Sequence, residues 1–246
     1  MIIAFFIVIH WYLSLFFQTF FLHRYAAHQQ FTMTKLWEKI FYIGAWISQG
    51  FTALSPNAYG KLHRMHHAFA DTKDDVHSPK YDKSLTSMMI KTDKLFRSIR
   101  LGKVEVEDRF CANLPEWLIF EKFAYTWTVK IVWVASYVLF YYKFVPEDAL
   151  WLWCLLPVHC LMTPTQGVIV NWCAHIYGYT NYNLANTSKN LMPFDIFMMG
   201  EGYHNNHHSD PNNIRFSKKW FEIDPTHSII LLFDQIGIVK IKKAII

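Results

Sequence analysis

A long run of apolar residues without formal charge begins almost at the first residue and limits what this chain can fold into. Residues 2–22, IIAFFIVIHWYLSLFFQTFFL, contain no Lys, Arg, Asp or Glu. A helix needs about 20 such residues to cross the hydrocarbon core of a bilayer. We therefore predict a membrane-spanning helix. Because no basic segment precedes it and no small-residue cleavage site follows it, a retained anchor is favoured over a signal peptide.

Two further apolar segments predict an integral membrane protein whose fold class is all-α. Residues 125–145 and residues 149–170 are predicted as the second and third spans, and Pro157 and Pro164 interrupt the third. Residues 40–55 are apolar but short, which favours an interfacial or re-entrant helix. Only 17% of all residues are charged, compared with about a quarter in a typical soluble domain.

The distribution of basic residues predicts which portions face the cytoplasm. Fifteen of the 24 Lys and Arg residues lie between residues 23 and 124, and seven follow residue 170. The positive-inside rule places both portions in the cytoplasm. We therefore expect a multi-pass helical bundle of about three transmembrane helices with a cytoplasmic, histidine-rich helical cap, formed by residues 1–246 as a single domain. Nucleic acid is not an expected partner, because the basic residues are spread out and no nucleic-acid-binding motif occurs.

Most of the histidines fall in four short groups, and all four groups lie in the predicted cytoplasmic portions. The groups are HRYAAH, HRMHH, NWCAH and HNNHH, and they contain nine of the 13 histidines: His23, His28, His63, His66, His67, His175, His204, His207 and His208. Nine neutral imidazoles could not be packed together without a metal or many donors, since each carries a ring nitrogen that needs a partner. The grouping therefore predicts a metal site.

The spacing within the groups predicts which side chains can meet. In HxxHH, positions i, i+3 and i+4 project from nearly one face of a helix. Asn171 and His175 are also four residues apart and share a face. His23 and His28 are five apart, roughly 140° round an ideal helix. They can meet at one site only if the helix end is distorted, or if the two bind different metals.

The number of histidines also predicts the number of metals. Nine nitrogen ligands are too many for one ion of any common geometry, whereas two metals with four or five ligands each would use them all. Imidazole suits iron, zinc, copper and nickel alike, so the ligand type does not choose the metal.

The four groups resemble the histidine boxes of membrane fatty acid desaturases, most closely the stearoyl-CoA desaturase-like, delta-9 type branch. HRYAAH, HRMHH, NWCAH and GEGYHNNHH have the order and spacing of that family across residues 20–210. The resemblance implies two iron ions (Fe²⁺) that use O₂ and two electrons to remove two hydrogens from an acyl chain, leaving a cis double bond. No side chain supplies such an oxidant, so the cofactor must carry that step.

The resemblance also implies roles for individual residues. One iron would be bound by His23, His28, His63, His67 and His208. The second would be bound by His66, His175, His204 and His207. Asn171, the candidate catalytic residue, matches an asparagine that holds a water on the second iron. The candidate acceptors for the other ring N–H groups of the histidines are Glu201, Asp71, Asp74 and Asp75.

Four further residues are candidates for the substrate tunnel. A Trp/Thr pair that helps to bend the tunnel in the family corresponds to Tyr59 and Gly167, so this chain must form the bend differently. The family closes the blind end of the tunnel two to three turns before the first histidine box. Those positions are Trp11 and Leu15 here, which share a helix face. Their bulk predicts a preference for chains around palmitoyl in length.

Two departures from the family pattern leave the acyl carrier and the N-terminal region open. Leu62 stands where this branch commonly has an acidic residue associated with CoA recognition. Acyl-CoA, acyl-carrier protein and phospholipid therefore all remain candidate carriers. The family usually has two spans before its first histidine box, whereas only 22 residues precede His23. Either one span is missing or the sequence starts late.

The expected partners are a fatty acyl substrate, membrane lipid and a separate electron-donor protein, because neither an HPGG haem-binding segment nor a CxxC pair occurs. Two other functions stay open. A hydroxylase would share the metal centre and differ in its product. A metal transporter would need ligands within the spans, where the midspan histidines are only His10 and His159.

Overall fold

The computed structural model describes residues 1–242; the last four residues of the predicted domain, 243–246, lie outside the described part. The described chain is mostly helical, as predicted. Its α-helices are α1 (Ile2–Phe17), α2 (Lys35–Gln49), α3 (Pro56–Phe69), α4 (Leu85–Arg100), α5 (Leu118–Ala124), α6 (Trp127–Phe144), α7 (Leu156–Cys160), α8 (Met162–Val168), α9 (Ala174–Ile176), α10 (His204–Ser209) and α11 (Pro225–Gln235). Short 3₁₀ segments cover Gly50–Thr52, Asp108–Phe110 and Glu147–Leu155.

One small sheet departs from the all-α prediction. Strand β1 (Phe31–Met33) pairs antiparallel with β2 (Val239–Ile241), with Phe31 opposite Ile241. The strands are only three residues long and lie more than 200 residues apart in the sequence, so no local pattern indicated the pairing. The sheet joins the end of the described chain to the segment that follows the first histidine group.

The first predicted span is longer than expected. Helix α1 continues without a break into a π-helical segment, Gln18–Ala27, and together they form a helix of 26 residues that is apolar enough to cross a membrane. The π-helical segment is buried almost throughout. Arg24 within it is fully buried and pairs with Asp224 at 2.9 Å, which ties this helix to the start of α11.

The second predicted span corresponds to α6, with a bend between it and the preceding α5, whereas the third predicted span contains a bend itself. Helices α5 and α6 meet at 56°, and residues Glu147–Cys160 meet residues Met162–Ile176 at 71°. The second bend falls at Leu161. It has a local cause, because Pro164 has no N–H to donate to the carbonyl of Cys160 and its ring crowds that carbonyl. By length and composition, the described residues contain one candidate membrane span, or up to three if each bent pair is one span.

The short helix predicted at residues 40–55 is observed as α2, which begins and ends at earlier residues than predicted. Helix α2 starts at Lys35, where the Thr34 side chain accepts a hydrogen bond from the backbone N–H of Trp37, as an N-cap does. It ends at Gly50, whose φ of 54° is unfavourable for residues with a side chain. Gly44 brings α2 close to α1, since a side chain there would overlap the Phe17 ring.

Buried polar pairs hold α1 against the third predicted span, residues 149–170, which bends at Leu161. His10 Nδ1 lies 2.7 Å from His159 Nδ1 in α7, and the Ser14 hydroxyl donates to Gln166 in α8 at 3.0 Å. The two pairs lie on either side of the break at Leu161. They fix the direction of the helical segment that carries Asn171 and His175.

Candidate metal centre

The fold brings all nine predicted histidines together. They come from the π-helical segment Gln18–Ala27 and the residue after it, from α3, from α9 and from α10. The ring nitrogens form two groups, and within each group the nitrogens lie within 4.8 Å of one another. The rings of His67 and His208 are 4.4 Å apart, so the two groups are direct neighbours.

The first group contains five imidazoles whose Nε2 atoms converge. Its members are His23, His28, His63, His67 and His207. The Nε2 atom of His207 lies 3.0 Å from that of His23 and 2.9 Å from that of His67. The Nε2 atom of His63 lies 2.8 Å from that of His28 and 3.0 Å from that of His67.

The second group contains four imidazoles: His66, His175, His204 and His208. The Nε2 atom of His204 lies 3.0 Å from those of both His175 and His208. A polar pocket of about 520 Å³ lies beside His175 and is lined mainly by the loop of residues 180–189.

The grouping differs from the expected one by an exchange of His207 and His208. We expected His208 with the first group and His207 with the second, and the structure shows the reverse. The reason is the short helix α10. His204 and His208 are four residues apart and share its face, whereas His207 projects from the adjoining side toward His23 and His67.

The distortion needed to bring His23 and His28 together is a π-helix. The backbone N–H of His28 bonds to the carbonyl of His23, an i→i+5 bond of 3.0 Å. Residue i+5 therefore lies near residue i along the helix wall and not 140° away. Asn171 also lies in a π-helical segment, Ile169–Cys173. Both helical segments thus widen where they carry predicted site residues.

Carboxylates hold the outward nitrogens of three imidazoles. His23 Nδ1 lies 2.6 Å from Glu201, His66 Nδ1 lies 2.9 Å from Asp75, and His175 Nδ1 lies 3.3 Å from Asp71. Three of the four predicted acceptors thus face a histidine. Asp74, the fourth, is exposed and faces none of them. It is the solvated residue of the turn that places Asp71 and Asp75.

The Asp71 carboxyl group stays ionised despite its burial. Burial alone would raise its pKa, but hydrogen bonds from His175, Ser78 and the Thr187 backbone lower the pKa well below its usual value. A carboxylate can only accept, so the nitrogens that face Asp71, Asp75 and Glu201 carry the protons. The Nε2 atoms of these histidines therefore point lone pairs inward.

The inward lone pairs leave the centre in need of a positive charge. Burial lowers the pKa of His204 and His207 well below the usual value, so these two imidazoles are neutral. Converging neutral nitrogens repel one another unless a cation lies between them. The donor set fits a transition metal that prefers nitrogen ligands, and iron is among them. The described residues thus form two adjacent metal-binding groups.

A cavity of about 240 Å³ leads from the first group to the protein surface. It touches His23, His63 and Glu201 at one end and Asp93, Arg97, Arg100 and Lys130 at the other. Tyr59 and Gly167, two of the candidates for a substrate tunnel, lie in its wall together with Asn171. Apolar side chains such as Phe51, Leu54 and Val170 form much of the remaining wall.

Trp11 and Leu15 do not lie in the wall of this cavity. The Trp11 indole N–H donates to the carbonyl of Phe197 at 3.0 Å, and its ring stacks on the Phe197 ring. Leu15 is fully buried against Val170, Met198 and Met199. The structure therefore places both residues against the segment before α10, and their role in chain-length selection stays a prediction.

Comparison with known proteins agrees with this geometry. A family model described as fatty acid desaturase matches residues 1–233. The chain belongs to the fatty acid desaturase family. It is therefore an oxidoreductase, and its two histidine groups could hold the metal centre that this family generally carries.

Three curated relatives of this desaturase are proteins of Arabidopsis thaliana. The chain is 29% identical to Delta-9 desaturase-like 4 protein over 221 residues, which are 89% of this chain and 69% of the relative. It is 28% identical to Delta-9 desaturase-like 5 protein over 89% of this chain and 70% of the relative. It is 27% identical to Delta-9 acyl-lipid desaturase 2 over 88% of this chain and 66% of the relative.

Two features of this desaturase had no signal in the sequence. Thr187 donates both its backbone N–H and its hydroxyl to Asp71, and Asn186 approaches His208 Nδ1 at 3.4 Å. Both residues lie in an irregular polar loop, which carries no periodicity. His77, which belongs to none of the four histidine groups, is buried, stacks on the His66 ring and lines the cavity.

Proposed function

We propose that this desaturase uses O₂ and two electrons at a centre of two iron ions to introduce a cis double bond, at the delta-9 position, into a saturated acyl chain. The cavity is the observation that carries the proposal. It runs from the first histidine group to an opening on the surface, and apolar side chains line much of its length. An extended hydrocarbon chain is the kind of molecule that fits such a path.

The donor set supports iron at both groups. Five imidazoles would hold one ion and four the other. Bound iron supplies the oxidation of an unactivated C–H bond, which no side chain of the protein performs. Glu201, Asp75 and Asp71 keep the outward ring N–H groups in place, so that the inward nitrogens stay available to a metal.

The wall of the cavity would orient the substrate and exclude water. Leu54, Leu62 and Val170 surround the path, and the Tyr59 ring stacks parallel to His63 at 5.6 Å between centroids. An acyl chain held there would pass beside the first group. The protein's own contribution is thus to present one C–C bond of the acyl chain to the centre and to keep the remainder of that acyl chain away from solvent.

The opening of the cavity favours an anionic acyl carrier. Arg97 pairs with Asp93 at 2.8 Å, which leaves Arg100 and Lys130 as the uncompensated cations of the opening. Membrane phospholipid, acyl-CoA and acyl-carrier protein all carry negatively charged phosphate groups. The relatives named Delta-9 acyl-lipid desaturase favour membrane lipid as the carrier. A separate protein supplies the electrons.

The same proposal places the protein in a membrane with three spans and its histidine groups in the cytoplasm. The 26-residue helix Ile2–Ala27 and the two bent pairs are the candidate spans. Residues 23–124 and 171–246 carry 22 of the 24 Lys and Arg residues. A reporter fused after Lys143 is expected outside the cytoplasm.

A product assay tests the function. The purified iron-loaded protein, with a reducing system, receives saturated acyl-CoA, acyl-carrier protein and phospholipid in separate reactions, and mass spectrometry locates any new double bond. A delta-9 olefin from one carrier supports the proposal. A hydroxylated chain would show the related oxygenation instead, and metal uptake into vesicles without any acyl product would show transport.

Asn171 should affect the reaction more than metal binding. It lines the cavity but is not among the converging nitrogens. We expect Asn171→Ala to lower kcat ~10–100-fold, the usual effect of a group that supports a metal ligand, with iron content unchanged. Asn183→Ala, at an exposed loop position, is the control. Loss of iron in proportion to activity would make Asn171 a ligand or a structural residue.

Gly167 provides a steric test of the acyl path. A Cβ atom at this position would meet only Asn171 Nδ2, at 3.9 Å, so Gly167→Ala should fit and keep activity. Gly167→Leu would project into the cavity and displace at least two methylene groups of substrate, each worth ~0.8 kcal/mol. We expect kcat/KM to fall about tenfold or more with iron content preserved. Equal activity of the two variants would place the acyl chain elsewhere.

A further inference from the structure

The segment between the loop of residues 180–189 and α10 carries an apolar surface that the metal centre does not use. Its sequence is PFDIFMMG, residues 193–200, and it leads directly into Glu201 and His204. Phe194 is 58% exposed, Ile196 54% and Phe197 47%. Three large apolar side chains in succession around one buried aspartate are unusual for a loop in water.

Most backbone polar groups of this segment have hydrogen-bond partners within the described part of the protein; the N–H groups of Phe194, Ile196 and Phe197 do not. The Asp195 carboxylate accepts hydrogen bonds from the N–H groups of Met198, Gly200 and Gly202. Every carbonyl from residue 195 to residue 200 also accepts a hydrogen bond. The donors are, in order, Gly200 N–H, Met199 N–H, Trp11 Nε1–H, Glu201 N–H, Thr226 O–H and Tyr203 N–H. Partners of this kind lower the cost of placing irregular backbone in contact with the apolar part of a bilayer.

The apolar surface continues the outer surface of α1. The Phe197 ring stacks on the Trp11 ring with 4.7 Å between centroids, and its carbonyl accepts from the Trp11 indole. Val8 and Tyr12, on the same helix, are also exposed. A bilayer that surrounds α1 at this height therefore also surrounds Phe194, Ile196 and Phe197.

We propose that residues 193–199 form a membrane-embedded loop, whose apolar side chains contact lipid beside α1. The partner is the lipid that surrounds α1 at the depth of Trp11. The loop thereby holds Glu201 and the histidines of α10 at a fixed depth relative to the membrane surface. The inference rests on the proposed insertion of α1, and it does not depend on the acyl reaction.

Site-specific fluorescence in phospholipid vesicles tests the inference on the full chain. The four cysteines are replaced by serine, and Phe194→Cys or Ile196→Cys is labelled with an environment-sensitive dye. Val8→Cys on α1 is the lipid-facing control, and Asp74→Cys, at an exposed position beside the histidine groups, is the water-facing control. We expect a lipid-borne quencher to act at residues 194 and 196 at least half as strongly as at residue 8. Aqueous iodide should act only at residue 74.

The other outcomes overturn the inference. Iodide quenching at residues 194 and 196 would place the loop in water, and protection from both quenchers would show that protein, such as a second copy of this chain, covers it. Iodide quenching at residue 8 would show that α1, and therefore the loop beside it, lies outside the bilayer. None of these results depends on product formation, so they are separate from failure of the desaturase assay.

A second pair of variants avoids the cysteine-free background. Ile196→Lys introduces a charge into the proposed lipid contact, whereas Trp220→Lys introduces one at a side chain that is 93% exposed beside two lysines. We expect Ile196→Lys to reduce the yield of membrane-inserted, iron-loaded protein severalfold relative to Trp220→Lys. Equal yields would contradict a lipid-embedded loop.

Discussion

Replacing His207 with alanine is expected to abolish desaturation and to lower the iron content of the purified protein. The Nε2 atom of His207 lies within 3.0 Å of the Nε2 atoms of both His23 and His67, so its removal opens the centre of the first group. A lost metal ligand should cost more than the ~10–100-fold typical of a residue that only supports a ligand. Product formation and iron content per protein, measured on the same preparation, check the prediction.

His227→Ala is the matched control for His207→Ala. His227 is a partly exposed histidine at the start of α11 and belongs to neither metal-binding group. Its replacement should leave both the iron content and the activity close to those of the unchanged protein. Full activity of the His207→Ala protein would remove the metal assignment for the first group.

Glu201→Gln is expected to reduce iron affinity ~10–100-fold at the first group, because the amide cannot hold the His23 Nδ1 proton as the carboxylate does. Glu201 is buried, lies 2.6 Å from His23 Nδ1 and also accepts a hydrogen bond from Thr19. The amide has nearly the same volume, so a change in packing is a minor effect. Iron titration of the metal-free protein measures the affinity, and the iron retained after purification provides a second measure.

Asp74→Asn separates this effect from a general change in charge. Asp74 is exposed in the turn between Asp71 and Asp75 and faces no imidazole. Its substitution should leave iron affinity unchanged, whereas Asp75→Asn should behave like Glu201→Gln, because Asp75 holds His66 Nδ1 at 2.9 Å. Equal effects of Asp74→Asn and Glu201→Gln would show that the protein's overall charge sets the affinity.

The sequence was sufficient to predict which histidines meet, because their spacing on helices is a local property. It was not sufficient to divide them between two sites. His207 and His208 are adjacent in the sequence, and the side of α10 that faces each group depends on how the loop before it packs. The same limit applies to the carboxylates, where Asp75 and not Asp74 faces an imidazole, although both lie in one turn.

Apolar composition predicted the helical segments but not their shape. The bend at Leu161 follows from Pro164, yet its angle of 71° depends on how α7 and α8 pack. The His10–His159 pair joins residues 149 positions apart, so no periodicity could indicate it. Trp11 and Leu15 share a helix face, as predicted, but that face meets the segment of residues 193–200 and not the cavity.

The two histidine groups also bear on how the chain completes its folding. They join segments up to 184 residues apart, and contacts between such distant segments form slowly. Helix α10 has only six residues, too few to be stable without its neighbours. A bound metal would link it to α3 and to the π-helical segment Gln18–Ala27, so part of the binding free energy would appear as folding stability. Metal supply would then determine how long a newly synthesised chain remains susceptible to proteolysis.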